Sequence, residues 1–403
     1  MSIFSKAVDS FSADPSNSTM RELVDLAEKE TLMAEEIKYL AETLSRSGKT
    51  ISFHSDKEKV DIASTGGPSS LSTLLCPLYL SILGANVIKL GVPGRPAGGI
   101  DVLMQIPGYK GDLTPEEVER VIRSCTYAHF LAGPNQAPLD AMLFNFRKRV
   151  GALDIPALVI SSLLSKKIAV GLTRVGLDVR VSDFGNFGTN WKAAKKNSIE
   201  FCKVAKELGL KATCFLTDGN LPYQEYIGRK EALVGLHKIF TGQADNKLVE
   251  HNRQCFLMAK STLNINRVEQ PSEKTLADIF AKNLTAQGAS FSAFEEIANN
   301  LDREHAYKVY ANSDGFLNLN LQGLRNTLVK FQNHSKTNSC VFPDPCGVIL
   351  RSRPDSYFKK GECLATYRIT NKNSRDIQED LNLNFRIGPK SIFKARFEEV
   401  QIG

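Results

Sequence analysis

Apolar positions along this chain repeat with two different periods. Leu71, Leu74, Leu75, Leu78 and Ile82 recur at intervals of three and four, so the spacing predicts a helix with one apolar face. Short apolar runs at 60–62 and 86–90 flank it and read as strands. Helical spacing also covers Leu23, Leu26 and Ala27, then Ile37, Leu40, Ala41 and Leu44, with Gly48 ending the second helix. Residues 1–20 are polar and read as loose chain. Thr114-Pro115-Glu116-Glu117 is a capped helix start, and its helix is expected to reach about Cys125. Strands are expected at 127–132, 177–181 and 211–216, with a helix over about 190–208. Strands and helices alternating through short links predict βαβ units and a mostly parallel sheet. From about residue 301 the pattern shifts. Phe316, Leu317, Leu319 and Leu321 interleave with Asn318 and Asn320, and short strands are expected within 340–350 and 361–367. The expected fold class is therefore α/β, with a helical part at the start and an α+β region at the end.

Composition narrows the possibilities. With 403 residues the chain is too long for one small core, and two or three domains are expected. The formal charge of +7 is a mild excess spread along the chain, which favours anionic substrates without implying a nucleic-acid partner. Eight cysteines lie far apart, and the nearest pair, Cys340 and Cys346, lacks zinc-site spacing. They read as reduced, buried thiols, and no metal is expected. No run of about 18 apolar residues occurs, so no membrane span is expected, and the first 20 residues lack a signal-peptide core. A cytoplasmic location is the expectation.

Two stretches carry candidate chemistry. Ser64-Thr65-Gly66-Gly67 joins a strand to a helix, which gathers backbone N–H groups at the positive end of the helix dipole. Ser69, Ser70, Ser72 and Thr73 add hydroxyls, so the natural guest is an anion, usually phosphate. A second glycine-rich turn, residues 91–99, includes Arg95. Two tight turns without a ligand fit the same residues. Further on, Ser162 and Lys166 lie four apart on one helix face. A hydroxyl beside a cation suits a polar heterocycle with carbonyl oxygens, although an amphipathic helix with a solvated lysine has the same spacing. His129, alone in an apolar strand, reads as a hydrogen-bonded core residue.

These stretches together resemble the thymidine/pyrimidine nucleoside phosphorylase family, within the nucleoside phosphorylase and anthranilate phosphoribosyltransferase-like superfamily. The matching pieces run in order: residues 61–67 for a D-x-H-S-T-G-G loop, Ala97-Gly98-Gly99 for a second loop ending T-G-G, and Leu103 to Gly108 for L-x-x-I-P-G. Pro138, Asp140, Phe144 and Arg147 fit P-x-D…(Y/F)-x-x-R. Ile155-Pro156, then Ser162, Lys166 and Lys167, fit I-P and S-x-x-x-K-K after one inserted residue. The resemblance covers nearly the whole chain. It implies a helical, dimerising domain at 1–57 and 138–172, an α/β phosphate-loop domain at 58–137 and 173–300, and a C-terminal α+β domain at 301–403. It also implies a homodimer, hinge motion between base and phosphate sites, and reversible phosphorolysis of a pyrimidine nucleoside with inorganic phosphate as co-substrate and no cofactor. Arg147, Ser162 and Lys166 are then the base-binding, catalytic residues. Phe144 walls the base pocket, and Ser64, Thr65, Gly66, Gly67 and Thr73 hold phosphate.

The phosphate side departs from the family pattern. The family's lysine and histidine before S-T-G-G are here Ile62 and Ala63, and Leu90 and Ala97 replace a serine and a threonine. Arg95 and Lys89 are the candidates for restoring the lost charge. Two alternatives stay open: a related glycosyl-transfer enzyme with another acceptor, as in the phosphoribosyltransferases, and a non-catalytic nucleoside-binding protein. The sequence does not separate thymidine from uridine.

Overall fold

The computed structural model describes residues 2–94, 96–132, 136–334, 342–351, 356–370, 374–390 and 397–401. Three helices open the chain: α1 (Ile3–Ala13), α2 (Asn17–Lys29) and α3 (Ala34–Arg46). The first corrects the expectation of loose chain at 1–20. Phe4, Ala7, Val8 and Phe11 are spaced as one helix face and are buried, and the Ser2 hydroxyl caps the start by accepting from the Ser5 N–H at 3.1 Å. Four apolar residues among many small polar ones define a buried face, although the average composition is polar.

The central sheet comes next. Strands β1 (Lys59–Ser64), β2 (Asn86–Gly91) and β3 (Tyr127–Leu131) alternate with helices α4 (Ser72–Ile82), the single turn α5 (Ile100–Leu103) and α6 (Pro115–Cys125). Helices α7 (Pro138–Val150) and α8 (Pro156–Ala169) lead to β4 (Arg174–Val181), and α9 (Trp191–Glu207) leads to β5 (Lys211–Asp218). The strand order is β5-β4-β1-β2-β3, all parallel, and Phe397–Gln401 adds antiparallel to the outer edge of β5. The expected mostly parallel sheet is therefore present, and the end of the chain returns to it.

Apolar residues cover both faces of this sheet. On one face, Ile88, Phe130, Leu177 and Leu216 share a core with α1–α3 and α6–α9. On the other, Val60, Ile62, Val87 and Phe215 pack with α4 and the helices at 229–240, 246–262 and 273–286. A third core lies between antiparallel strands and the helices Leu321–His334 and Ser374–Asn382. One of its strands is Tyr226–Ile227, which paired with Cys346–Leu350 ties this region to the segment entering helix Arg229–Phe240. Connections between parallel strands leave their carboxyl ends open, where ligands of such sheets bind. The turns after β1 and β2 both lie at that end.

Candidate functional site

The two glycine turns and one face of α8 enclose a cavity of about 130 Å³. The first turn contributes Ser64, Gly66 and Gly67, and α4 contributes Ser70 before its first turn and Thr73 within it. Gly66 and Gly67 have φ of 122° and 119°, in the region that favours glycine, and the Ser64 hydroxyl accepts from the Gly66 N–H at 3.3 Å. No side chain caps α4, where Leu71 occupies the N-cap position, so the positive end of its dipole points at this turn. Asp178 on β4 anchors the arrangement from below. Its carboxylate accepts from Ser72 Oγ at 2.6 Å and from Arg180 Nη2 at 2.6 Å, and Arg180 Nη2 also donates to Ser70 Oγ at 2.5 Å. Thr65 faces β4 instead of the cavity: its hydroxyl accepts from the Arg180 N–H at 2.9 Å. It therefore shapes the turn.

Beneath the turn lies a charge cluster the sequence did not announce. Strands β1 and β2 pair over Lys59–Val60 with Asn86–Val87 and then diverge. Lys89 bridges the gap, donating to the Ile62 carbonyl at 2.6 Å and to Asp61 Oδ1 at 2.7 Å. Lys167 of α8 pairs with the other oxygen of Asp61. Asp61 is fully buried and both lysines nearly so. Burial alone would push the Asp61 carboxyl up, but the charges of Lys167 and Lys89 hold it well below the usual carboxylate range. One carboxylate thus serves two ammonium groups, and among the described residues no second carboxylate pairs with either of them.

Lys166, next to Lys167 on α8, also lines the cavity. Its ammonium donates to the Ser162 hydroxyl at 3.0 Å, to the Ser162 carbonyl at 2.9 Å and to Asp140. The i, i+4 relation expected from spacing is present. All three donors are engaged, so a ligand carbonyl must replace one partner. Ser162 stands behind Lys166 and does not itself line the cavity.

The structure does not bring Arg147 to the cavity. Its guanidinium donates to the carbonyls of Ala152, Leu158 and Leu153 at 2.9, 3.1 and 3.2 Å, closing the turn from α7 into α8. Burial lowers its pKa to about 10, which leaves it charged at neutral pH. Its side chain is 2% exposed. Phe144 is half-buried on α7 and is also not part of the cavity wall. Arg95 lies outside the described residues.

Three further residues line the cavity: Asp101 and Arg325, unassigned in the sequence, and His129, read there as a core residue. Asp101 accepts from the Gly94 N–H and from Arg229 Nη2, both at 2.9 Å, and so fixes the second glycine turn to helix Arg229–Phe240. Arg325 reaches the cavity from the C-terminal region. His129 lines it from β3, directly beside Lys89 in the parallel ladder. Its place near the carboxyl end of a parallel strand was the available signal.

The architecture is that of the anthranilate phosphoribosyltransferases. The solved enzyme from Thermus thermophilus superposes with a TM-score of 0.53 at 16% identity, over 75% of this chain and 96% of that one. No family model matches the chain. By sequence, the chain is 26% identical over 369 residues to a pyrimidine-nucleoside phosphorylase of Geobacillus stearothermophilus, covering 88% of this chain and 84% of that protein. It is also 26% identical over 275 residues to a thymidine phosphorylase of Sinorhizobium fredii, covering 64% of this chain and 62% of that protein. The chain is thus a divergent relative of the pyrimidine-nucleoside and thymidine phosphorylases.

Proposed function

We propose that this protein is a pentosyltransferase that catalyses the reversible phosphorolysis of a pyrimidine nucleoside or deoxynucleoside, yielding free base and (deoxy)ribose 1-phosphate. The observation that carries this reading is the lining of one cavity. Ser64, Gly66, Gly67 and Thr73 line it from the first turn and α4, Lys89 from β2, and Lys166 and Lys167 from α8. Phosphate bound at the turn attacks C1′ of the sugar. The C1′–N bond breaks with its electron pair going to the base, and Lys166 neutralises the charge that develops on the base carbonyl. Lys89 and Lys167 take the place of the cation missing at Ile62. Ser162 positions Lys166, while Arg147 and Phe144 frame the helix pair that carries them.

In this reading inorganic phosphate is the co-substrate, no cofactor takes part, and the protein works as a cytoplasmic homodimer. No helix among the described residues is long and apolar enough to cross a membrane. Incubation with thymidine or uridine, followed by the absorbance change on base release, tests the reaction. Release that requires phosphate is expected; equal release without phosphate contradicts it. Lys89→Met is expected to raise KM for phosphate roughly tenfold to a hundredfold, the weight of one charge-assisted contact. Saturation curves in phosphate at fixed nucleoside measure this, and an unchanged KM would remove Lys89 from the anion site.

A further inference from the structure

We propose that His129 is a phosphate-binding residue, a neutral donor whose Nε2–H points into the cavity and whose tautomer is set by Tyr127. This deepens the phosphorolysis reading and rests on it for the identity of the anion. His129 is fully buried, yet its Nε2 has no hydrogen-bond partner among the described residues. A buried, unpaired ring nitrogen is costly unless a ligand completes it. Every other polar atom of the residue is engaged. The N–H donates to Gln287 Oε1 at 3.0 Å, the carbonyl accepts from Gln287 Nε2 at 2.9 Å, and Nδ1 lies 3.0 Å from the Tyr127 hydroxyl.

The open nitrogen faces the two glycine turns. A Cβ at Gly91 would meet Ile100 Cβ and Cγ2 at 2.9 Å and Nε2 at 3.1 Å, so the ring nitrogen lies against the second turn beside Ile100. A Cβ at Gly99 would lie 4.0 Å from Nε2 and 3.9 Å from Thr73 Oγ1, so these two polar atoms flank the same point. Glycine at position 99 leaves that point without a side chain, which is the space the proposal gives to an oxyanion.

Protonation follows from the neighbours. Burial first, and then the charge of Lys89, holds the imidazole well below its ordinary pKa, so it is neutral at pH 7. Burial pushes the Tyr127 phenol well above its ordinary value, so it keeps its proton. In the proposed arrangement this phenol donates to Nδ1, which leaves the single imidazole proton on Nε2. The result is an uncharged N–H beside two lysines, which supplies a donor where the family's histidine is replaced by Ala63.

The test uses the full-length protein labelled with 15N-histidine, which has six histidines to resolve. Inorganic phosphate is titrated while the His129 nitrogens are followed by NMR, with His129→Gln identifying the signal. We expect an Nε2–H tautomer before addition and a saturable shift of that nitrogen with phosphate. In kinetics, His129→Leu is expected to raise KM for phosphate roughly tenfold to a hundredfold with KM for nucleoside unchanged. His129→Gln, whose amide N–H can reach the same space, is expected to recover most of that loss. A protonated Nδ1, or a nitrogen unmoved by saturating phosphate, overturns the proposal even if phosphorolysis occurs. A phosphate-dependent shift without base release upholds the assignment and overturns the reaction.

Discussion

Lys166→Ala is expected to lower kcat/KM for the nucleoside by about 10²–10³-fold, the usual effect of removing one preorganised group that stabilises transition-state charge. The loss is expected mainly in kcat, because the carbonyl oxygen gains most of its charge as the glycosidic bond breaks. KM for phosphate should change little, since Lys89 and Lys167 keep their pairing with Asp61. One control is needed. Asp140 is buried and pairs with Lys166, so the alanine variant strands a carboxylate. Lys166→Met combined with Asp140→Asn removes both charges and should restore the melting temperature without restoring turnover. Recovery of activity in that double variant would show that Lys166 serves only to neutralise Asp140.

Glu231→Ala is expected to cost about 3–5 kcal/mol of stability, the range for breaking a buried ion pair by removing one partner. Glu231 sits fully buried on helix Arg229–Phe240. Its carboxylate accepts from Arg368 Nε at 2.9 Å, from Arg368 Nη2 at 3.1 Å and lies 3.0 Å from His305 Nε2. Arg368 continues to the Asp344 carboxylate at 2.6 Å. This network holds the C-terminal strands against the helix whose Arg229 fixes Asp101 at the second glycine turn. Burial would raise the Glu231 pKa, but Arg368 and then His305 lower it from 4.5 to about 2. A lowered folded-state value means that the carboxylate's contribution is fully present above about pH 4.5 and is lost as pH falls toward 2. Denaturant titrations at pH 7, 4 and 3 should show wild type and Glu231→Ala converging as acidity rises. A constant gap between them would mean that the ionised carboxylate is not the source of the stability.

Much of the fold was legible because its signals are local. Thr114 and Pro115 announced the start of α6, and the leucine spacing announced α4. The strands β1 to β5 stood out as apolar runs between helical segments. The helix Ile3–Ala13 was not legible from composition, because only four of its residues are buried and, apart from the exposed Ile3, the rest are small or polar.

The site was legible where chemistry follows spacing along one element. Ser64, Gly66, Gly67, Thr73 and Lys166, which line the cavity, belong to this kind. It was not legible where chemistry depends on which strands lie side by side. Lys89 and His129 are 40 positions apart in sequence but face each other across a parallel ladder. Asp61 joins two lysines from different elements, and neither partner can be read from its neighbours in the chain. Arg147 shows the opposite case. A motif position suggested the base pocket, but three backbone carbonyls at the α7–α8 turn occupy its guanidinium.

The central claim is that one cavity brings phosphate and a nucleoside together so that phosphate takes the sugar. Phosphorus NMR of the protein incubated with thymidine or uridine and inorganic phosphate follows that transfer directly, with released base measured in the same sample. A pentose 1-phosphate signal that grows in step with free base, one for one, is the expected result. Base appearing with free sugar and no phosphate ester, or no product from either nucleoside at saturating phosphate, would contradict it.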